Sequence, residues 1–543
     1  MKVDGMTCEH CELSVVKSLQ DVGVSDVRVD HRRGEAIFNA PADVDPAILA
    51  RAVSRAGYQP GPVETVETSG AGRFPASPDG DYDLAIVGSG GAAFAAAIRA
   101  RELGARVVMI ERDTLGGTCV NVGCVPSKTL LHAGDLYHQA GHHPFRGIHT
   151  VQEGVVLGPL VDQKNELVHT LRREKYEELI AEYGWDLVRG EARFLDGERL
   201  EVDGEVVTAS RILIATGASP AVPSIPGLAE AGYLTSTTAL ALSEVPESLV
   251  VIGSGFIALE LGQLFRHLGS HVTVMQRSPR ILKGYEPEVA EAVYEALSEQ
   301  GMSFVTGARF TRVEKRSPGY HVAVEVGGET RAVEAEQLLV AIGRRPNTAA
   351  LHLDRAGVKV GPLGEIVVDA HLRTTNPCIF AAGDVTAGPQ FVYVAAYQGT
   401  LAAENALSGA QRRVDLSAVP AVVFTSPSIA TVGLTEEQAK AAGHAVKNSV
   451  LPVKAVPRAL VNHDTHGVFK IVADSSTDRI LGVHVVSENA GDVIYAATLA
   501  VKFDLTVHDL VSTFAPYLTM AEGLKLAAQT FGKDVAKLSC CAS

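Results

Sequence analysis

The chain has 543 residues, 46% hydrophobic and 20% charged, the balance of a globular protein of about three or four domains. Its 63 acidic residues outnumber 48 basic ones, and the net charge of −15 argues against nucleic acid as a partner, because phosphate binding needs a basic surface. Six of the seven cysteines fall in three close pairs, which in a reducing compartment suggests metal or redox chemistry and not structural disulfides.

Met1-Lys2-Val3-Asp4 is not a basic, apolar leader, and the most apolar run, Leu84 to Ile98, is glycine-interrupted and too short to span a bilayer. A cytoplasmic protein without stable membrane association is expected. Gly5-Met6-Thr7-Cys8-Glu9-His10-Cys11 is a Cys-x-x-Cys set just before a helical pattern with Leu13, Val16 and Leu19 on one face. Alternating apolar runs around Val27-Arg28-Val29 and Ala36-Ile37-Phe38 predict strands, and a second helix is predicted from Pro46 to Ala56. Two thiolates on one loop suit a soft ion of low coordination number, such as Hg(II), Cu(I) or Cd(II). A redox Cys-x-x-Cys and half of a zinc site are the other readings. Residues 1 to about 65 resemble the ferredoxin-like, βαββαβ heavy-metal-associated domain, whose loop motif is Gly-Met-x-Cys-x-x-Cys. Residues 66–80, poor in periodic apolar positions and rich in Ser, Gly and Pro, read as a flexible linker.

Asp83 to Val87 is a buried-strand run that ends in Gly88-Ser89-Gly90-Gly91-Ala92-Ala93. An alanine-rich helix and a second strand, Arg106 to Ile110, follow and close on Glu111. This strand–Gly-x-Gly-x-x-Ala–helix–strand–acid unit binds a dinucleotide. Gly88, Gly90 and Ala93 let backbone and helix close on the pyrophosphate, and Glu111 is placed for the ribose hydroxyls.

Next comes Gly116-Gly117-Thr118-Cys119-Val120-Asn121-Val122-Gly123-Cys124-Val125-Pro126-Ser127-Lys128. On a regular helix positions five apart are rotated by about 140°, so Cys119 and Cys124 could face each other only across a loop or a distorted first turn. The glycines supply that freedom, Pro126 is tolerated in an opening turn, and a helix N-terminus favours a thiolate. Two unrelated buried cysteines is the alternative.

The dinucleotide unit recurs with strand Leu249 to Ile252, loop Gly253-Ser254-Gly255-Phe256-Ile257-Ala258, helix Leu259 to Leu268 and strand Val272 to Met275. It ends in Gln276-Arg277-Ser278-Pro279-Arg280 without an acid, which leaves Arg277 and Arg280 for a 2′-phosphate and favours NADPH over NADH. Surface arginines after a strand are the plain alternative. Beyond Val419, strands (Ala421 to Phe424, Val468 to Val472, Ile480 to Val486) and helices (Asn489 to Phe503, Ala521 to Phe531) predict a last α+β domain. Cys378 has no neighbour in sequence and reads as a core cysteine.

From about residue 81 to the C-terminus the chain resembles the pyridine nucleotide–disulfide oxidoreductases. The resemblance rests on Gly-Gly-Thr-Cys-x-x-x-x-Cys-x-Pro-Ser-Lys, Ala215-Thr216-Gly217, Gly343-Arg344-Arg345-Pro346-Asn347 and Ala381-Ala382-Gly383-Asp384. It implies an α/β architecture: two Rossmann-like dinucleotide-binding domains and an α+β C-terminal dimerisation domain, preceded here by the small ferredoxin-like domain. The expected boundaries are 1–65 for the metal domain, 66–80 for the linker, 81–232 and 356–418 for the FAD domain, 233–355 for the NADPH domain and 419–543 for dimerisation. It also implies Cys119 as the interchange thiol, Cys124 as the thiolate against the flavin and Lys128 near flavin N5. Asp384 would hold the ribityl chain or adjacent phosphate, with Thr118, Ala192 and Val392 lining the FAD site, though Ala192 and Val392 could equally be core residues. Phe256 takes the position of an aromatic that covers the nicotinamide pocket, and each active site of the homodimer is completed by its partner's C-terminal residues.

Two features depart from the disulfide reductases of that family. Tyr517, five residues before Glu522, stands where dihydrolipoamide dehydrogenase and glutathione reductase place their acid–base His, and a phenol near pKa 10 is a poor base at neutral pH. The tail Lys537-Leu538-Ser539-Cys540-Cys541-Ala542-Ser543 carries vicinal cysteines with no packing reason. With the N-terminal domain, these features resemble the Hg(II)-reducing branch of the family. That resemblance implies FAD and NADPH as cofactors and Hg(II)–thiolate complexes as substrate. Cys8 and Cys11 would collect the metal, Cys540 and Cys541 relay it, Cys119 and Cys124 hold it beside the flavin, and Tyr517 orient it. A dihydrolipoamide dehydrogenase-like disulfide reductase, or a reductase of another soft metal ion, is the alternative.

Overall fold

The computed structural model describes residues 1–6, 15–16, 18–19, 22, 24–30, 34–39, 44–63 and 82–534. Contacts divide the chain into two compact units, Met1–Pro75 and Ala76–Ser543.

In the first unit strand Val3–Asp4 pairs antiparallel with Gln59–Pro60, and Ser25–Asp30 with Glu35–Asn39. A bridge between Lys2 and Glu35 joins the two pairs, so the spatial order is the fourth strand, then first, third and second. Helix Pro46–Arg55 starts where Asp45 accepts from the Ala47 N–H and Pro46 fills a first-turn position that needs no donor. With helical backbone at 15–16 and 18–19, the order is strand, helix, strand, strand, helix, strand. Val3, Val15, Leu19, Ala36, Leu49 and Val53 form its core. Cys8 and Cys11 lie outside the described residues, as do the whole 66–80 linker and the Cys540-Cys541 tail.

The second unit holds three sheets that matter for function. A parallel sheet runs Ile379–Ala381, Ile212–Ile214, Leu84–Val87, Val107–Glu111, Asp186–Arg189. A second parallel sheet runs Ser303–Val305, His271–Met275, Ser248–Ile252, Gln337–Val340. The inner strands of both sheets are near-continuous buried apolar runs, as parallel sheets require, while the edge strands Asp186–Arg189 and Ser303–Val305 are partly exposed. The third is a five-stranded antiparallel sheet containing Val468–Asp474 and Ile480–Ser487, every residue of the first being buried. Ligands of such doubly wound sheets bind at the carboxyl ends of the strands, and both glycine loops sit there.

Two boundaries differ from the sequence reading in a way that bears on the site. The second glycine-loop helix runs Phe256–His267 and so begins at Phe256, three residues early, because the last residues of such a motif already carry helical backbone. Cys119 and Cys124 lie on two helices, Gly117–Asn121 and Cys124–His142, with Val122 and Gly123 as the break between them. That break is what overcomes the 140° problem of one continuous helix.

Candidate active site

The first glycine loop is built for close backbone approach. Gly88 has φ +108°, and a Cβ there would lie 2.4 Å from the Ala215 carbonyl oxygen. Gly117 has φ +65°, and its Cβ would meet Gly90 Cα at 2.6 Å, so loop and dithiol helix touch only because both are glycine. Glu111 closes the neighbouring strand. Its carboxylate accepts from the Ser89 hydroxyl at 2.6 Å and from the Asp113 N–H at 2.7 Å, which fixes an acid at the ribose position. A cavity of about 1200 Å³, open mouth included, runs from this loop to the dithiol. Gly88, Gly90, Glu111, Thr118, Lys128, Asp384 and Val392 line it together with both cysteines and Phe256. An adjoining cavity shares Gly88, Glu111 and Thr216 and adds Ala192, Arg345 and Asn347, which extends the cradle past the ribose position. Ala93 is wholly buried inside helix Gly91–Glu102, as a close-packing residue. The extended cradle, the fixed acid and the missing side chains at Gly88 and Gly117 fit a dinucleotide such as FAD.

The dithiol is free, with Cys119 half-buried and Cys124 exposed. The Cys119 thiol hydrogen-bonds to Cys124, and this bond together with burial pushes Cys119 far up. The same bond, reinforced by Lys128, brings Cys124 down to about 7. Cys124 is also the first residue of a 19-residue helix, whose unpaired N–H groups favour an anion. One thiol is therefore the proton holder and the other the thiolate.

Several residues around the dithiol carry the site although the sequence assigned them no role. Lys128 Nζ lies 2.9 Å from Glu260 and 4.6 Å from the Phe424 ring centroid. Glu260, only 3% exposed, also accepts from the Phe424 N–H at 2.9 Å. A lone acid in the apolar run Phe256-Ile257-Ala258-Leu259-Glu260-Leu261, one turn after Phe256, was the signal. Arg344 donates to the Thr118 hydroxyl at 3.3 Å and lies 3.9 Å from Asp384. Burial pushes the Asp384 carboxyl up and the Arg344 guanidinium down, although each opposes the other's shift. Tyr176 is edge-on to Phe94 and within electrostatic reach of both thiols; burial first, then Cys119 and Cys124, raise its phenol. Tyr285 is raised to about 12 by burial and then by Glu260. No spacing in the sequence links Tyr176 or Tyr285 to the dithiol.

The second glycine loop repeats the first. Gly253 has φ +117°, its Cβ would fall 2.3 Å from the Ala341 oxygen, and Gly255 is the N-cap of helix Phe256–His267. Phe256, 36% exposed, reaches the dithiol cavity, whereas Gly253, Gly255, Arg277 and Arg280 lie outside its lining. Arg277 is exposed just beyond strand His271–Met275. Arg280 donates through Nη2 to the carbonyls of Lys283 and Tyr285, both at 3.1 Å. Tyr517 is half-exposed and is not among the residues lining the cavity of its own chain. Cys378 is half-buried, with its Sγ 3.8 Å from Arg211, so it lies at the edge of the core.

One glycine cradle that opens onto a dithiol, and a second whose helix sends Phe256 into the same cavity, define a flavin- and nicotinamide-dependent oxidoreductase acting through sulfur. The chain belongs to the pyridine nucleotide-disulphide oxidoreductase family, whose model matches residues 82–399; the family's dimerisation domain matches 419–528 and the heavy-metal-associated domain 1–59. It is similar to the mercuric reductase of Bacillus cereus, at 58% identity over 100% of this chain and 86% of that one. It is 57% identical to the mercuric reductase of Staphylococcus aureus over 99% of this chain and 98% of that one. A mercuric reductase of Streptomyces lividans is 52% identical, covering 85% of this chain and 98% of its own. Among solved structures, the HOCl-induced flavoprotein disulfide reductase RclA from Escherichia coli aligns with TM-score 0.74 and 31% identity over 83% of this chain and 100% of that one. The chain is thus an enzyme of this family, with FAD and NADPH as its cofactors. Among the described residues no helix is long and apolar enough to cross a membrane.

Proposed function

We propose that this enzyme reduces Hg(II) to Hg(0), with Cys119 and Cys124 holding the metal. The observation that carries the reading is a dithiol with Cys124 at about 7, together with Tyr517 where disulfide reductases need a His. Bound FAD, with NADPH as the source, would supply the two electrons that Hg(II) accepts. The residues of the chain manage the metal and the proton. The Cys124 thiolate attacks Hg(II) in an incoming Hg(SR)2 and one RS⁻ leaves. Cys119 then attacks the same ion, its proton goes to the second departing thiolate, and the metal is held as a bis-thiolate; reduction returns both cysteine sulfurs as thiolates and releases Hg(0). Cys119, held protonated by its bond to Cys124 until the metal arrives, delivers that proton without a separate base. Lys128, fixed by Glu260 and Phe424, is a fixed cation beside the dithiol. Arg277 and Arg280 are proposed to read the 2′-phosphate of NADPH, while Thr118, Asp384 and Val392 would hold the flavin half and Ala192 the adenosine half of FAD.

Cys8 and Cys11 are proposed to collect Hg(II), and Cys540 and Cys541 to pass it to the dithiol of the other subunit beside Tyr517. The dimerisation-domain match supports a homodimer. So do large apolar side chains exposed on that domain, Phe514 at 97%, Tyr495 at 67% and Phe503 at 65%. A cytoplasmic location is proposed from the close-spaced cysteine pairs of the sequence, which suit a reducing compartment.

Hg(II)-dependent NADPH oxidation by the purified yellow protein, with mercury vapour detected, tests the reaction. Turnover with lipoamide or oxidised glutathione comparable to that with Hg(II) would refute it in favour of a disulfide reductase. Heterodimers that pair a Cys119→Ala/Cys124→Ala chain with a Cys540→Ala/Cys541→Ala chain test the relay, with the metal given as a bulky dithiolate. They should recover one site in two, and activity no higher than in either parent would rule out transfer between subunits.

A further inference from the structure

The largest charge cluster buried outside the dithiol cavity centres on Lys470, in strand Val468–Asp474 of the dimerisation domain. Its side chain is 1% exposed, and Nζ lies 2.9 Å from Glu286, 2.9 Å from Glu288 and 3.2 Å from Glu436. Glu286 is itself 3% exposed and accepts in addition from the Glu436 N–H at 2.5 Å. His484, also buried, donates through Nε2 to the Leu434 carbonyl and lies 3.9 Å from Glu286. Glu286 and Glu288 belong to the nicotinamide half: Glu286 is the N-cap of helix Pro287–Glu299. The cluster therefore ties two domains of one compact unit together.

Net stability does not account for it. The same two domains already share an apolar core in which Val289, Val293 and Leu297 join Val423, Val468 and Val486. A buried ion pair often contributes less than apolar residues of the same volume would, but it fixes geometry, because a wrong register leaves a charge unpaired.

What Glu286 fixes is a short segment that returns to the nucleotide loop. Immediately before it, the Tyr285 carbonyl accepts from Arg280 at 3.1 Å. Leu282, at φ +48° and 2% exposed, donates its N–H to the Ser254 carbonyl of the glycine loop at 3.3 Å. A β-branch-free but non-glycine residue held left-handed persists only where its surroundings over-determine it. The segment from Arg277 to Glu286 is thus pinned at the glycine loop by Leu282, at its own turn by Arg280, and at the dimerisation domain by Glu286.

We propose that Lys470, acting through Glu286, is a positioning residue for the nicotinamide nucleotide: the dimerisation domain sets the placement of the segment that carries Arg277 and Arg280. The part concerning the 2′-phosphate rests on the role given to those arginines above.

Calorimetric titration of the flavin-loaded dimer with NADP⁺ and with NAD⁺ tests this without turnover. Lys470→Met keeps the side chain's length and removes its charge, and it should weaken NADP⁺ binding about three- to tenfold. Lys470→Arg should restore most of the affinity. A larger loss for NADP⁺ than for NAD⁺ supports delivery through the arginines. An equal loss for both supports positioning through the Leu282–Ser254 contact and removes the 2′-phosphate role, which a null effect of Arg277→Ala/Arg280→Ala on NADP⁺ binding would show independently. Unchanged dissociation constants for both nucleotides in folded Lys470→Met, whatever its melting temperature, would overturn the proposal. If Lys470→Met yields no folded dimer, Glu286→Gln is read the same way.

Discussion

The chain contains the same dinucleotide device twice, and the hydrogen bonds align the copies residue for residue. Gly88 N donates to the Ile110 carbonyl at 2.8 Å, and Gly253 N to Met275 at 2.9 Å. Ala215 N donates to Val87 and Ala341 N to Ile252, both at 2.9 Å. Hence Glu111 and Gln276 occupy equivalent places. The copies diverge where the ligand would begin. In the first, the helix opens on Gly91 and packs so tightly on helix Val392–Ser408 that a Cβ at Gly399 would lie 2.0 Å from the Ala92 oxygen. In the second, it opens on Phe256, which projects into the dithiol cavity. One copy opens on a residue without a side chain and packs against a second helix; the other presents an aromatic ring to the dithiol cavity. Identical backbone chemistry thus leaves the side chain at the helix start to set the two copies apart.

The most severe test falls where the two copies meet. Cys124→Ala should lower Hg(II) turnover by at least about 10³-fold while flavin stays bound, because it removes the thiolate and leaves both glycine cradles intact. The two-electron-reduced wild type should show a long-wavelength thiolate-to-flavin band. With Cys124 lowered to about 7, thiolate predominates above that pH, so the band should fade as pH drops through about 7. A band that survives Cys124→Ala, or that does not titrate, would return the thiolate role to Cys119.

A paired substitution attacks the alignment itself. Alanine at Gly88 or Gly253 imposes about 1–3 kcal/mol of left-handed strain, before the 2.4 Å or 2.3 Å clash with a carbonyl oxygen is relieved. Gly88→Ala should give largely colourless protein. Gly253→Ala should stay yellow and lose about hundredfold in kcat/KM for NADPH, read from flavin content by absorbance and from steady-state rates. Flavin loss from Gly253→Ala equal to that from Gly88→Ala would mean the copies are not independent.

What was legible in the sequence was whatever the backbone demands locally. Gly88, Gly90, Gly253 and Gly255 stood out because close approach tolerates no Cβ, and Glu111 because strand length sets its distance from the loop. Two strands of each parallel sheet, Leu84–Val87 with Val107–Glu111 and Ser248–Ile252 with His271–Met275, were legible as apolar runs, whereas the part-exposed edge strands Asp186–Arg189 and Ser303–Val305 were not. Arg344 and Tyr176 were not, since they reach the dithiol through tertiary packing that no periodicity encodes. Glu260 could have been found as a lone acid in an apolar helix, but its partner Lys128 is 132 positions away. Lys470, in a strand that reads as uniformly buried, gave no hint of its three carboxylate partners.

The mildest expected effect concerns the one position at which the copies differ by a single functional group. In the first copy the buried Ser89 hydroxyl donates to Glu111, so the acid is held in place for a ribose diol. In the second, the Ser254 hydroxyl is buried and finds no hydrogen-bond partner among the described residues. Gln276 Oε1 accepts instead from the Arg277 N–H at 3.0 Å. Gln276→Glu combined with Arg277→Ala recreates the first copy's chemistry in the second: a carboxylate for Ser254 to donate to, and no cation for a 2′-phosphate. The ratio of kcat/KM for NADPH over NADH should fall about tenfold, roughly 1.4 kcal/mol, through both a loss for NADPH and a gain for NADH. A loss for NADPH without any gain for NADH would show that the arginine matters but that Gln276 is not the counterpart of Glu111. An unchanged ratio would remove Arg277 from the nucleotide site altogether and leave the 2′-phosphate to Arg280.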